Sequence, residues 1–327
     1  MNIVITGSNG FIGKNLLNQL LEKYPEAKFK CLVRAEKKSD NPRVEFVTVN
    51  YLDLQSILDS KVVDDADYIF HVAGVTKSAT KKRFWEGNVI PTQNLLEAVK
   101  QTGAKLKRFL LVSSQAASGP SDSLDHLLSE SEDANPVELY GASKYEAEKI
   151  LRTYSDIPFT IISPGGVFGP GDVDFLKIFE MTKMGINVYA GVNGKYMSVI
   201  FSEDLVNAIV ASAFSENCIN KKYFIVNDKP NTWNEIHETV FEVAGKKRFD
   251  ISLPFPLLNV LSYLGSAYSV ISNNHIIFNK NKVSMSGPKY WIASNAAAKK
   301  DFGFEPKYNL KEAMQKTYDW YKENKWL

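Results

Sequence analysis

The order of elements along the chain predicts an α/β fold: a doubly wound parallel sheet followed by a smaller C-terminal lobe. Three observations predict it. Short β-branched or apolar runs alternate with longer helical patterns through the first half. The first run ends in a glycine turn that opens directly into an amphipathic helix. Beyond about Pro164 the alternation breaks into glycine-rich loops. Strand, helix, strand in repetition gives parallel strands with helices on both faces.

The strands are expected at Ile3–Thr6, Phe29–Val33, Val44–Thr48, Tyr68–Val72, Phe109–Val112 and Phe159–Ile162. Helical patterns cover Phe11–Lys23, Trp85–Gln101 and Leu139–Tyr154. These elements make a nucleotide-binding unit over residues 1–165. Residues 166–327 are expected to form mainly a substrate-binding lobe. It returns one strand to the sheet, Tyr223–Val226, within residues 223–227. Closing helices are expected at 294–301 and 310–325, separated by Gly303 and Pro306.

Composition narrows the function. With 39 Lys plus Arg against 37 Asp plus Glu, no global field draws the protein to nucleic acid. Lys81-Lys82-Arg83 reads as solvated surface. Cys31 and Cys218 form neither a metal spacing nor a disulfide framework, which suits a reducing compartment. His71, His126, His237 and His275 have no ligand spacing, so no metal is expected. The sequence starts in a strand without a charged leader, which points to the cytoplasm. Residues 251–279 carry no Asp, Glu, Lys or Arg, but Pro254, Pro256 and Gly265 argue against stable membrane insertion. A buried helix, an apolar lid and a segment touching a membrane surface all remain open for this stretch.

The first turn carries chemistry. In Thr6-Gly7-Ser8-Asn9-Gly10-Phe11-Ile12-Gly13, Gly7 permits a tight turn. Gly10 lets backbone N–H groups approach a pyrophosphate, and Gly13 lets the helix pack closely on the strand. Asn9, Phe11 and Ile12 complete this dinucleotide-binding Rossmann loop, and the helix N-terminus faces the anion. The second strand ends at Arg34, followed by Glu36, Lys37 and Lys38. A guanidinium there suits a 2′-phosphate, so NADP is favoured. NAD stays possible because Glu36 could serve the ribose.

Tyr140 and Lys144 lie four apart in a helical pattern, so both side chains share one face. A phenol must drop by roughly 3 pKa units, about 4 kcal/mol, to act as a base near pH 7. An ammonium and a cationic nicotinamide ring both push that way. Tyr140 would exchange a proton with a substrate hydroxyl or carbonyl, while Ser114 orients the same oxygen.

Six pieces, TGSNGFIG at 6–13, FHVAG at 70–74, NVIPTQNLLEA at 88–98, VSSQAASG at 112–119, YGASK at 140–144 and PGGVFGP at 164–170, follow one another in order. In this the chain resembles the extended short-chain dehydrogenase/reductase family, often called NAD-dependent epimerases/dehydratases. The resemblance implies that Asn50, Tyr51 and Asp53 hold the adenine and that Ala73 and Gly74 lie beside the ribose. It implies further that Asn88 props the active site, Lys144 holds ribose hydroxyls and Pro164 passes under the nicotinamide. Family members often pair through the helix that carries Tyr140, which implies a homodimer.

The same resemblance informs substrate choice through absences. Dehydratases of the family usually carry Asp-Glu after the catalytic hydroxyl residue; this chain has Gln115-Ala116. Sugar-nucleotide epimerases usually place an Arg where Met197 stands, with Lys195 close by, and another where Ser163 stands. A lysine lacks the bidentate fork that grips a diphosphate. What remains resembles the branch of 3β-hydroxysteroid and sterol-carboxylate dehydrogenases and dihydroflavonol-type reductases. That implies alcohol–ketone interconversion on an apolar small molecule. A nucleotide-sugar epimerase or 4-keto reductase is one alternative, and a non-catalytic NAD(P)-binding sensor is another.

Overall fold

A computed structural model describes residues 1–190, 194–253 and 288–327. Seven strands form one sheet: β1 (Asn2–Thr6), β2 (Lys28–Val33), β3 (Val44–Thr48), β4 (Tyr68–His71), β5 (Arg108–Val112), β6 (Phe159–Pro164) and β7 (Lys221–Ile225). Their order is β7-β6-β5-β4-β1-β2-β3, and every pairing is parallel. The doubly wound sheet is therefore as expected from the alternating pattern. The order reverses between β1 and β4, and at such a switch point the carboxyl ends of the strands open a crevice.

Alternation along each strand builds two cores. Ile3 and Ile5 of β1, Phe70 of β4 and Leu110 of β5 point to one face, where Leu16 and Leu20 of the first helix and Ile209 of helix Ser202–Ala213 cover them. Val4, Ile69, Phe109 and Leu111 point to the other, under Leu95 and Leu96 of helix Ile90–Thr102 and Ala147 and Leu151 of helix Leu139–Thr153. Burial on both faces explains why these strands read as continuous apolar runs.

A third cluster, including Phe168, Phe179, Phe201, Val240 and Tyr321, lies beyond the sheet. It joins helices Leu176–Met184, Trp233–Val243 and Leu310–Glu323. Short strands complete this part. Gly166–Phe168 pairs with Val199–Phe201, and Tyr196–Met197 lies between Asn231–Thr232 and Tyr290–Trp291.

One expected helix is divided. In place of Trp85–Gln101, the chain forms helix Lys81–Phe84, a π-helical turn at Trp85–Val89, and helix Ile90–Thr102. Pro91 has no N–H to donate four residues back, and the N–H of Ile90 donates to the carbonyl of Trp85, five residues back. The closing helices run Ala296–Phe302 and Leu310–Glu323. Of the uncharged stretch, Ile251–Leu253 belongs to strand Phe249–Leu253, paired with Ile186–Ala190; the rest lies outside the described residues. Among the described residues no helix is long and apolar enough to cross a membrane.

Candidate functional site

The carboxyl ends of β1, β4, β5 and β6 meet at one edge, and each delivers part of the site. At the end of β1, Gly7 adopts φ +75°, a left-handed conformation that suits glycine. The N–H of Gly10 donates to the carbonyl of Gly7 at 2.9 Å and closes the turn. A Cβ on Gly13 would come within 2.1 Å of the Gly7 carbonyl oxygen, so helix and loop touch backbone to backbone. No side chain caps the first helix, which leaves its first N–H groups directed at the crevice. These features fit a dinucleotide pyrophosphate, with Asn9 in the loop and Phe11 and Ile12 in the first turn of the helix Phe11–Lys23.

The end of β4 is fixed by a buried polar chain. Thr6 Oγ1 accepts from the N–H of Ala73 at 3.0 Å and bonds His71 Nδ1 at 2.7 Å. His71 Nε2 in turn bonds Thr92 Oγ1 at 3.0 Å. Burial, reinforced by the Lys144 ammonium, pulls the His71 pKa down to about 3, so the ring is neutral. At Gly74 an added Cβ would lie 2.9 Å from both Asn88 Oδ1 and Lys144 Nζ. A side chain there would push Asn88 or the Lys144 ammonium out of place.

Asn88 occupies the π-helical turn, and all its polar atoms are engaged. Its Oδ1 accepts from the N–H of Val75 at 2.7 Å. Its Nδ2 donates to the Val75 carbonyl at 3.0 Å and to Ser143 Oγ at 2.8 Å. The turn thus links the segment following β4 to the helix that carries Tyr140. A π-turn at a functional site is a recurrent association.

Helix Leu139–Thr153 starts at Glu138, whose carboxylate accepts from the N–H groups of Tyr140, at 2.6 Å, and of Gly141. The Ser114 hydroxyl, just past β5, faces the phenol of Tyr140. One turn further on, Lys144 is 5% exposed and its Nζ donates to the Val112 carbonyl at 2.9 Å. Ser114, Tyr140, Lys144, Gly74 and Asn88 therefore form one cluster. Desolvation pulls the Lys144 pKa down to about 8, opposed by the Glu148 carboxylate. Desolvation pushes the Tyr140 phenol up to about 12, opposed by the Ser114 hydroxyl. The direction for Tyr140 is opposite to the lowering that a base requires. Among the protein's own groups, burial and the Glu138 carboxylate outweigh the Ser114 hydroxyl.

Arg34, Asn50 and Tyr51 form a second group near the ends of β2 and β3. Arg34 is exposed immediately past β2. Tyr51 donates its phenol proton to the Leu32 carbonyl at 2.8 Å, and Asn50 Oδ1 accepts from the N–H of Leu52 at 3.1 Å. Asp53 caps the helix Leu54–Asp59. Sequence reasoning gave no role to Lys37, yet its Nζ donates to Asn9 Oδ1 at 2.6 Å and so places a second cation at the glycine loop. It also gave none to Thr6 or Glu138. Their signals, a threonine before the first glycine and a carboxylate two before the tyrosine, were present but weak.

Pro164 ends β6, and the glycines after it run against the second part of the molecule. Gly166 N donates to the Ser198 carbonyl at 2.9 Å, and a Cβ on Gly166 would lie 2.9 Å from Met197 Sδ. A thioether, not a guanidinium, therefore borders this loop. Ser163 is fully buried and reaches Glu148 at 3.5 Å. Among the described residues no group of His, Cys, Asp or Glu could hold a metal.

The chain is similar to known proteins along nearly its whole length. A ceramide reductase of Caulobacter vibrioides is 28% identical over 99% of this chain and 96% of its own length. The mouse sterol-4-alpha-carboxylate 3-dehydrogenase (decarboxylating) is 25% identical over 96% of this chain and 89% of its own. Among solved structures, the UDP-glucuronic acid 4-epimerase of Bacillus cereus, in complex with UDP-glucuronic acid and NAD, superposes with a TM-score of 0.78. It is 20% identical and covers 99% of this chain and 100% of its own, a likeness of fold. The sequence profile of the NAD-dependent epimerase/dehydratase family matches residues 3–220, from β1 to the brink of β7. Since that match takes in the glycine loop, Ser114, Tyr140 and Lys144 together, the chain belongs to the NAD-dependent epimerase/dehydratase family, enzymes of the extended short-chain dehydrogenase/reductase type.

Proposed function

We propose that this chain is an NADP-preferring oxidoreductase that interconverts a secondary alcohol and a ketone on an apolar small molecule, with Tyr140 as the proton donor and acceptor. The observation that carries the reading is the Ser114–Tyr140 hydroxyl pair, set one helical turn from the buried Lys144. Two hydroxyls can bind one substrate oxygen at once. Ser114 polarises it, and Tyr140 gives or takes its proton. Lys144 Nζ, fixed on Val112, is positioned to hold ribose hydroxyls through its remaining hydrogens. The nicotinamide cofactor, when bound, supplies the hydride. Its positive ring in the oxidised form, together with Lys144, has to offset the burial that raises the Tyr140 phenol.

Preference for NADP rests on Arg34, exposed just past β2, and on Lys37 at Asn9. Both are suited to a 2′-phosphate. An apolar substrate is supported by Met197 at the Gly166 loop and by the lipid-directed names of the ceramide reductase and sterol dehydrogenase relatives. The second reading is a nucleotide-sugar epimerase or 4-keto reductase with an unusual diphosphate grip. It draws on the epimerases that share the fold and on Lys195, whose pKa burial lowers.

Purified protein assayed with NADPH and a panel of hydrophobic ketones, including N-acylated long-chain ketones, tests this against a panel of UDP- and dTDP-sugars. Oxidation of NADPH by the ketones is expected. Turnover of sugar nucleotides alone would replace the first reading with the second.

A further inference from the structure

We propose that Glu148 and Lys222 are a buried charge pair that positions Lys144 and sets the field in which it holds its proton. Both would then be positioning residues for the reaction at Tyr140. The inference rests on the reading above, in which Lys144 supports Tyr140 and grips the cofactor ribose.

The pair is out of water. The Glu148 side chain is 2% exposed and that of Lys222 is 7% exposed, and they meet at 2.8 Å. Desolvating two charges is costly, and a buried ion pair seldom improves stability over an apolar pair of the same shape. Its place in the fold supplies another reason for it. Glu148 stands four residues after Lys144, so Tyr140, Lys144 and Glu148 share one helix face. Its Oε1 accepts from Ser113 Oγ, next in sequence to Ser114, and from Ser163 Oγ at 3.5 Å. Lys222 comes from β7 and donates also to Ser118 Oγ at 2.9 Å, beyond the turn Gln115–Ala117. One carboxylate and one ammonium thus tie β5, β6, β7 and the Ser114 turn to the helix of Tyr140 and Lys144.

Charge makes the pair more than a clamp. Tyr140 and Glu148 share the helix face of Lys144, the neutral His71 from β4 feels its charge, Glu138 acts on Tyr140 from the helix cap, and Lys222 from β7 meets Glu148. Glu148 favours the charged Lys144, and Lys222, paired with Glu148 at 2.8 Å, offsets part of that carboxylate's charge. Removing either partner unbalances the field in a known direction.

The test is the pH dependence of NADPH and NADH binding, followed by calorimetry from pH 6 to 10, with the alkaline limb reporting loss of the Lys144 proton. In Glu148→Gln the limb is expected to move to lower pH, because an ammonium faces Lys144 without its counter-charge. In Lys222→Met it is expected to move to higher pH. A tenfold change in affinity at fixed pH on the limb corresponds to a movement of about one pH unit. The double variant should return toward the wild type. Equal movement in both single variants, or none in either, overturns the proposal, because a purely structural clamp gives no opposed signs. Should a single variant fail to fold, Glu148→Asp and Lys222→Arg keep the charges and should keep the wild-type limb; a displaced limb there counts against the proposal. Wild-type protein that binds neither cofactor defeats the underlying reading, whereas a wild-type limb indifferent to these substitutions defeats this inference alone.

Discussion

Replacing Gly13 with alanine tests how closely the first helix rides on the glycine loop. The new Cβ would lie 2.1 Å from the Gly7 carbonyl oxygen, 2.7 Å from its carbon and 3.0 Å from Ser8 Cα, all backbone atoms. Ordinary contact begins at 3.4 Å, so about 1.3 Å must be found by moving the helix or the loop. The helix resists, because Leu16 and Leu20 are fully buried in the same core as Ile3 and Ile5. The loop resists as well, because Gly7 lies against Ala73 and its carbonyl accepts from Gly10. Overpacking of this kind costs roughly 1–3 kcal/mol, and contact with backbone on one side puts Gly13→Ala near the upper end. About 1 kcal/mol returns through the better helix propensity of alanine. A net loss of about 2 kcal/mol in urea unfolding is expected. Affinity for NADPH and NADH should fall at least tenfold as the loop shifts, about 1.4 kcal/mol. Gly103→Ala is the control: nothing lies within 4 Å of its Cβ, but its φ of +69° makes the backbone alone cost about 1 kcal/mol, with cofactor binding unchanged. Stability and affinity both unchanged in Gly13→Ala would refute the packing argument.

Tyr140→Phe should abolish hydride transfer while leaving cofactor affinity within about twofold, which separates catalysis from sensing; stopped-flow absorbance with titration calorimetry checks it. Arg34→Ala should lower NADPH affinity about tenfold, roughly 1.4 kcal/mol, with NADH affinity unchanged, as read by fluorescence titration. Arg108→Met removes donors to Thr160 Oγ1 and to the Ser212 and Ser215 carbonyls from a site 2% exposed, and should cost about 2–4 kcal/mol by chemical denaturation. His71 and His237 have folded pKa values lowered to about 3 and about 4, below the unfolded value near 6.5. The unfolded chain therefore binds more protons below that value, so their stabilisation is complete above about pH 6.5 and declines as pH falls, by about 2 kcal/mol each at pH 5. The buried carboxyls of Glu138 and Asp172, with raised pKa values, act in the opposite sense. The His71 share is consequently read as the difference between wild-type and His71→Gln denaturation curves across pH 7 to 5.

The parts of this molecule legible in the sequence are those whose signals are local. β1, its glycines and the first helix occupy one continuous stretch, and the two-sided burial of the sheet writes itself as apolar runs. Tyr140 and Lys144 share a helix face by spacing alone. What stayed hidden depends on residues that meet only in space. The strands Tyr196–Met197 and Tyr290–Trp291 are two residues each, too short to show a period, and exist because they pair across nearly a hundred residues. The partner of Glu148 lies 74 positions away on β7. The sign of the Tyr140 shift required knowing how deeply the phenol is buried in the fold, which its spacing from Lys144 does not reveal. That last point bears on mechanism. A phenol held high by its surroundings stays protonated near neutral pH, the state that proton delivery to a carbonyl needs, although it is then a weak acid. In the protein alone Tyr140 is thus a protonated phenol, and its use as a base in alcohol oxidation depends on the positive nicotinamide to bring its pKa down.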